Sequence, residues 1–102
     1  MAQDILQRLT VILAERKQAS PESSYVAKLF SKGEDAILKK VGEEATEVIV
    51  AALSQERERQ IEELSDLFYH TLVLMTAKDI TLDDVYAELE HRHAPRKAES
   101  GD

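Results

Sequence analysis

The chain of 102 residues contains no cysteine, and this absence excludes several kinds of chemistry. Disulfide bridges, thiolate zinc sites, iron–sulfur clusters and cysteine nucleophiles all need a thiol. Any bound metal must therefore have oxygen or imidazole ligands. No run of about eighteen apolar residues is present, and the first residues lack the basic and then apolar pattern of a secretion signal. We therefore expect a soluble, cytoplasmic protein.

Glycine and proline are also scarce, with three and two copies, whereas hydrophobic residues make up 43% of the chain. This composition is typical of long helices. Apolar residues recur at intervals of three and four, which is the helical period. They predict an all-α domain of about five helices, over residues 3–17, a short stretch around 25–30, 32–54, 56–78 and 82–93. We expect the domain to occupy residues 1–93 and the polar tail, 94–102, to fray.

Local motifs predict where three of these helices begin. Ser20 precedes Pro21, as at a helix N-terminus, so we expect Ser20 to cap the short second helix. Two segments match the capping box, in which a hydroxyl and an acid three residues later bond to each other's backbone N–H groups. They are 31–34 and 81–84. The third helix is therefore expected to begin near residue 32, and the fifth at 82.

The fourth helix is apolar around almost its whole circumference. Its main stripe is centred on Leu64, and Tyr69, Val73 and Leu74 lie outside that stripe. Val50 lies outside the stripe of the third helix in the same way. Because a chain of this size has too little surface to bury a helix on every side, we predict a homodimer or higher homo-oligomer. The third and fourth helices would form an antiparallel hairpin in a bundle shared with a second subunit.

The pattern acid-acid-x-x-acid occurs twice, once on each arm of the predicted hairpin. Its members are Glu43, Glu44 and Glu47 on the third helix, and Glu62, Glu63 and Asp66 on the fourth. Residues three apart project from one side of a helix, which pairs Glu44 with Glu47 and Glu63 with Asp66. At about 100° and 1.5 Å per residue, both pairs lie on the same side of the hairpin and within about 3 Å along its axis. These four carboxylates are therefore expected to converge.

Four converging carboxylates repel one another unless a cation lies between them. Oxygen-only ligands favour Mg²⁺ or Mn²⁺, and Ca²⁺ less well because no looped cage is present. Mg²⁺ bound in this way commonly completes its shell with water and substrate phosphates, so the pattern indicates phosphate chemistry. The candidate phosphate contacts are Lys28, Lys32, Lys39, Lys40 and Arg92. Lys40 lies on the same side of its helix as the acids, so it is the first choice for a phosphate contact or for holding Glu44. The net charge of -7 argues against nucleic acid or a membrane surface as partner.

Four segments carry a resemblance to a known family, over about residues 3–93: SYVAKLF at 24–30, KKVGEEATE at 39–47, ELSDLFYH at 63–70 and LDDV at 82–85. They resemble the phosphoribosyl-ATP pyrophosphohydrolases of histidine biosynthesis, within the all-α, MazG-like nucleotide pyrophosphohydrolases. The superfamily motif, EExxE followed by ExxD, corresponds to Glu43, Glu44, Glu47, Glu63 and Asp66. The resemblance implies Mg²⁺-dependent hydrolysis of phosphoribosyl-ATP to phosphoribosyl-AMP and pyrophosphate, the second step of the pathway.

The same resemblance implies roles for individual residues. Glu44, Glu47, Glu63 and Asp66 would bind the metal, and Glu43 would be a neighbouring group or the general base. The segment with Ser24 and Tyr25 would contact the substrate, with Tyr25 at the ribose or base or serving only as an aromatic anchor. Apart from the resemblance, the spacing of four places His70 beside Asp66, so His70 would touch substrate, orient Asp66 or pack at the subunit or hairpin boundary. Two other functions stay open: a house-cleaning nucleoside triphosphate pyrophosphohydrolase, and a non-enzymatic metal-binding helical module.

Overall fold

Residues 4–54 and 56–95 are described by a computed structural model, and they form five α-helices and one short 3₁₀ turn. The elements are α1 (Ile5–Lys17), the 3₁₀ turn (Pro21–Ser23), α2 (Tyr25–Lys32), α3 (Glu34–Ser54), α4 (Arg57–Ala77) and α5 (Leu82–His93). These two ranges contain no β-strand, which confirms the predicted all-α class. In the same part of the chain, no helix has both the length and the apolar character needed to cross a membrane.

Capping boxes open the first and the last helix. Before α1, the Asp4 carboxylate accepts from the Gln7 N–H at 2.9 Å, and the Gln7 side chain accepts from the Asp4 N–H at 3.1 Å. Before α5, Thr81 and Asp84 exchange the same two bonds, at 3.0 and 2.9 Å. Each box satisfies two N–H groups that a helix start otherwise leaves unpaired. The predicted start of the fifth helix is thereby confirmed.

The predicted caps of the second and third helices are wrong, although Ser20 and Pro21 do begin the 3₁₀ turn and α3 begins within two residues of the predicted position. Ser24, not Ser20, caps α2, because its hydroxyl accepts from the Ala27 N–H at 3.1 Å. Ser31 lies inside α2, where its hydroxyl donates to a carbonyl of the preceding turn. The chain leaves α2 at Gly33, whose φ of +99° lies in the region that favours glycine, and α3 begins at the next residue. One glycine therefore separates two helices where the motif predicted a hydroxyl cap.

The most extensive contact in the fold is the hairpin of α3 and α4, as predicted. Helices α1 and α2 pack against α4, and α2 also packs against α3. The core lies at this junction and consists of Leu13, Val26, Leu29, Ile37, Leu72 and Val73. Helix α5 contributes no buried residue, although Leu82 at its start packs against the core. The hairpin is thus held on one side by the first two helices.

The apolar stripe of α4 does not face the interior in the predicted way. Leu64, its expected centre, is 43% exposed, whereas the preceding Glu63 is only 6% exposed. Val73 was one reason to expect a second copy, but it is fully buried in the chain's own core, so that prediction is wrong for this residue. On α3 the buried residues are Ile37, Glu44 and Ala51, spaced by seven. Glu44 and Glu63 therefore lie along the buried line of their helices, deeper than the shoulder that the helical wheel indicated.

Parts of the predicted boundaries fall outside the described residues. The expected start of the first helix at residue 3 lies there, and so does most of the predicted fraying tail, 96–102. The extent of the domain, 1–93, stays a prediction.

Candidate active site

Three carboxylates from the two arms of the hairpin meet at one point. Glu44 of α3 and Glu63 and Asp66 of α4 each place an oxygen within 4.8 Å of the others. Glu44 is 9% exposed and Glu63 is 6% exposed, while Asp66 is open to solvent. We call these three side chains the carboxylate cluster. It has a buried floor and one accessible side, so a ligand can approach it from solvent.

The other two acids of the motif lie beside the cluster. Among the described side chains, Glu47 is exposed and is not part of the group whose oxygens converge. The structure therefore brings together three of the four predicted ligands. Glu43 is also exposed, and its carboxylate lies 3.7 Å from the Lys40 ammonium. Both acids lie on the solvent-exposed side of α3, within one turn of Glu44.

Each buried acid has a cation four residues earlier on its own helix. The Lys40 Nζ atom lies 3.1 Å from Glu44 Oε2, and Arg59 Nη2 bonds to Glu63 Oε2. The hydrogen bond with Glu44 is the main cause that raises the pKa of Lys40. A hydrogen bond with Glu62 and then the charge of Glu63 raise the pKa of Arg59. Since burying an unpaired carboxylate is very costly, these ion pairs permit the depth of the cluster.

Arg59 was not predicted as part of the site. The spacing of four between Arg59 and Glu63 is the signal that indicates the pair, because residues i and i+4 are neighbours on a helix. Lys40, by contrast, was predicted beside the acids, and the structure places it there.

An aromatic pair adjoins the cluster. The Tyr25 hydroxyl of α2 lies 2.9 Å from His70 Nε2, and His70 Nδ1 lies 2.8 Å from the Asp66 carbonyl oxygen. Burial raises the pKa of Tyr25, the charges of Glu44, Glu43 and Asp66 add to this, and Lys40 opposes it. The hydroxyl is therefore within electrostatic reach of the acids. His70 is buried between α2 and α4 and bonds to the backbone, not the carboxylate, of Asp66.

The remaining predicted substrate contacts are spread over the surface. Lys28, Lys32 and Lys39 are exposed, and Arg92 pairs with Glu88 on α5 at 2.8 Å. In residues 4–54 and 56–95, no ion pair joins these four cations to the carboxylate cluster. Ser24, also predicted at the substrate, has its hydroxyl engaged as the cap of α2. An apolar cleft of about 830 Å³ lies elsewhere, between α1 and α4, and none of the cluster acids lines it.

Hard carboxylate oxygens are the ligands that Mg²⁺ and Mn²⁺ prefer, so the cluster fits such a cation in chemistry and in number of donors. Three carboxylate oxygens would leave positions of an octahedral Mg²⁺ shell open for water and phosphate. The arrangement can therefore bring a divalent cation and a polyphosphate together at one accessible point.

The comparisons with known proteins agree on one family. The family model described as phosphoribosyl-ATP pyrophosphohydrolase matches residues 6–93. The phosphoribosyl-ATP pyrophosphatase of Geobacter sulfurreducens is 56% identical over 89 residues, which are 87% of this chain and 82% of that protein. The enzyme of the same name from Metallosphaera sedula is 49% identical, over 87% of this chain and 96% of its own.

A third relative is a longer protein. The histidine biosynthesis bifunctional protein HisIE of Halalkalibacterium halodurans is 47% identical over 93 residues, which are 91% of this chain but 44% of that protein. The match over residues 6–93, together with relatives at about half identity, leads to one conclusion: the chain belongs to the phosphoribosyl-ATP pyrophosphohydrolase family.

Proposed function

We propose that this protein hydrolyses phosphoribosyl-ATP to phosphoribosyl-AMP and pyrophosphate, the second step of histidine biosynthesis. The observation that carries the proposal is the convergence of Glu44, Glu63 and Asp66 in a chain of this family. The names of the relatives supply the substrate, since they are phosphoribosyl-ATP pyrophosphatases, and the HisIE relative supplies the pathway. The cluster supplies a place where such a polyphosphate can be cleaved.

The proposed cofactor is Mg²⁺, with Mn²⁺ as a substitute. Glu44, Glu63 and Asp66 would hold it, and Glu47, three residues beyond Glu44 on α3, would be the fourth ligand. When bound, such a cation polarises phosphoryl oxygens, lowers the pKa of a water molecule and stabilises the pyrophosphate leaving group.

The chain's own residues have three tasks in this proposal. Glu43 is an exposed carboxylate beside the cluster, so it is the candidate to accept the proton of the attacking water. Lys40 holds Glu44 in place and would also be near enough to the cluster to contact a substrate phosphate. Tyr25 contacts the ribose or base. Four exposed cations and the capping serine complete the candidate substrate contacts: Lys28, Lys32, Lys39, Arg92 and Ser24.

A second copy of the chain completes the proposed enzyme. Ile49 and Leu53 of α3, and Ile61 and Phe68 of α4, are all exposed large hydrophobic residues. An apolar groove of about 370 Å³ between α1 and α4 also includes Ile61 and Phe68 in its lining. Exposed large hydrophobic residues in such number are typical of an interface, and the hairpin that presents them also carries the cluster. A homodimer that buries this face is the simplest assembly.

The proposal is tested by measuring pyrophosphate release from phosphoribosyl-ATP, ATP and dUTP in the presence of Mg²⁺. We expect a clear preference for phosphoribosyl-ATP, and a loss in kcat/KM of about 100-fold in Asp66→Asn, because this change replaces a charged metal ligand by a neutral, weaker one. Glu90→Gln is the matched control, since it removes one exposed acid of α5 and should leave turnover unchanged.

Two outcomes would favour the alternative functions. A preference for ATP or dUTP would indicate the house-cleaning pyrophosphohydrolase. Absence of turnover on all three nucleotides, with Mg²⁺ still bound, would indicate the metal-binding module.

A further inference from the structure

Each of the two buried acids in the carboxylate cluster has one oxygen engaged by a cation. Oε2 of Glu44 lies 3.1 Å from the Lys40 ammonium, and Oε2 of Glu63 accepts a hydrogen bond from Nη2 of Arg59. In both ion pairs the contacting atom is Oε2, so Oε1 is the oxygen that each acid keeps for a further ligand. One oxygen of each buried acid is therefore committed to the protein itself.

The cation on α4 is held from two sides. Nη1 of Arg59 bonds to the exposed carboxylate of Glu62, while Nη2 bonds to the buried carboxylate of Glu63. The guanidinium is planar and carries its donors in a fixed fork, so two bonds to different acids restrict how it can turn. Its position therefore determines, before any ligand binds, which oxygen of Glu63 is engaged.

The number of oxygens that remain distinguishes two common divalent cations. Ca²⁺ binds about six to eight oxygen ligands and often takes both oxygens of one carboxylate. Mg²⁺ is smaller, demands a near-ideal octahedron and usually keeps several water molecules. The three cluster carboxylates have six oxygens, of which the two ion pairs engage two. The other four suit the smaller ion, and they deny the larger ion two-oxygen binding by either buried acid.

We propose that Arg59 and Lys40 are positioning residues that restrict Glu63 and Glu44 to one oxygen each and thereby select Mg²⁺ against Ca²⁺. The inference rests on the proposed function for the presence of a divalent cation at the cluster. A counter-charge anywhere nearby would balance the acids, whereas only a cation bonded to Oε2 removes that oxygen from the metal ligands. The ratio of the two metal affinities separates these effects, because charge acts on both divalent ions alike.

Arg59→Met tests this selection, because it frees Oε2 of Glu63 and keeps a long, unbranched side chain. Isothermal titration calorimetry of the full-length protein gives the Kd for Mg²⁺ and for Ca²⁺ in separate titrations. We expect the wild type to bind Mg²⁺ more tightly than Ca²⁺, and Arg59→Met to shift the ratio of the two Kd values about tenfold towards Ca²⁺. Arg57→Met is the matched control, since it removes the same charge from the exposed surface of α4 and should keep the wild-type ratio.

Two further variants separate the bond to Oε2 from packing and from folding. Arg59→Lys keeps a charged donor at the same spacing, and Lys40 shows that a lysine four residues before its acid reaches the carboxylate. Arg59→Lys should therefore keep the wild-type ratio. Lys40→Met frees Oε2 of Glu44 and should shift the ratio in the same direction as Arg59→Met. It decides the question if Arg59→Met does not fold, and circular dichroism checks the fold of each variant.

The outcomes for the inference and for the proposed function are distinguishable. An unchanged ratio in Lys40→Met or in folded Arg59→Met would overturn the inference, and so would a shift in Arg59→Lys as large as that in Arg59→Met. A wild-type chain that binds no Mg²⁺ would also overturn it, whatever its turnover. A chain that shows the expected ratios but releases no pyrophosphate from phosphoribosyl-ATP would refute the proposed function and support the inference.

Discussion

Glu44 and Glu63 face each other across the hairpin of α3 and α4, both less than one-tenth exposed, and each is paired with a cation of its own helix. The two pairs have the same spacing, since Lys40 and Arg59 each precede their acid by four residues. Packing of α3 against α4 therefore brings the two acids together, and the spacing of four residues within each helix pairs each acid with a cation. These two dependencies can be tested separately.

Removing Lys40 tests the charge balance. In Lys40→Met, Glu44 stays buried without its cation, so we expect the metal-free protein to lose about 1–3 kcal/mol of unfolding free energy. Added Mg²⁺ should remove most of that loss, because it supplies the missing positive charge. Thermal unfolding with and without Mg²⁺ measures both effects. Lys39→Met is the control, because the Lys39 ammonium is exposed and takes part in neither of the two ion pairs that Lys40 makes. Equal destabilisation in the two variants would contradict this account.

The pKa of Lys40 gives this prediction a pH dependence. Its hydrogen bond with Glu44 raises that pKa above the ordinary lysine value. A group whose pKa is raised on folding contributes its full stability below the unfolded pKa and loses it as pH rises through the folded pKa. The stability difference between wild type and Lys40→Met should therefore be complete at neutral pH and shrink only under strongly alkaline conditions. Denaturant titrations at several pH values measure it, and a difference that vanishes at neutral pH would refute the assignment.

Binding of Mg²⁺ should stabilise the folded chain. A ligand that binds only the native state adds about 2.7 kcal/mol at a concentration 100 times its Kd. We expect the unfolding midpoint to rise with added Mg²⁺ and to fall back when a chelator removes it. Glu63→Gln should lose this response, since it removes a buried ligand, whereas Glu90→Gln should keep it. A normal response in Glu63→Gln would exclude this residue from the metal site.

The junction between α2 and α3 should depend on its glycine. Gly33 has φ +99° and ψ 175°, a conformation that is costly for any residue with a Cβ. Gly33→Ala should lower the unfolding free energy by about 1–3 kcal/mol, entirely through the backbone, because nothing lies within 4 Å of the added Cβ. Gly42→Ala is the matched control inside α3, where Cβ also meets open space; it should stabilise by about 0.5–1 kcal/mol. Chemical denaturation distinguishes the opposite signs.

The exposed apolar face of the hairpin should determine the oligomeric state. Phe68→Glu introduces a charge where a second copy is proposed to pack, so we expect a shift from dimer to monomer in sedimentation velocity. Ser31→Glu places the same charge on the exposed surface of α2 and should leave the assembly unchanged. A wild-type chain that sediments as a monomer would refute the proposed dimer outright.

Periodicity and spacing predicted much of this molecule. The period of three and four located the long helices, and the 1.5 Å rise and 100° turn brought Glu44, Glu63 and Asp66 to one level and one side. The Thr81 capping box was confirmed because both of its bonds are local. The predictions that Ser20 and Ser31 cap helices were wrong because the same hydroxyl motif also occurs in turns and within helices. The neighbouring backbone decides which of these roles the hydroxyl takes.

The depth of the acids could not be predicted in this way. A helical wheel takes the apolar residues as the buried face, which put Leu64 inward and Glu63 to one side. Exposed apolar residues such as Leu64 follow the same sequence pattern as those of the chain's own core, so the wheel averages two different directions. The wheel then places the buried acids at the edge of the apolar face and not within it. Only the position of Arg59, one turn before Glu63, indicates that this carboxylate has the partner it needs to be buried.

The counter-charges of the cluster also affect the order of events in the cell. Because Lys40 and Arg59 pair with the two buried acids from within their own helices, neither Glu44 nor Glu63 depends on a metal ion for a counter-charge during folding. On the proposed function, Mg²⁺ would then bind a chain that is already folded. Occupancy of the site should consequently follow the free magnesium level at each moment, and a chain stripped of metal should return to activity without passing through an unfolded state.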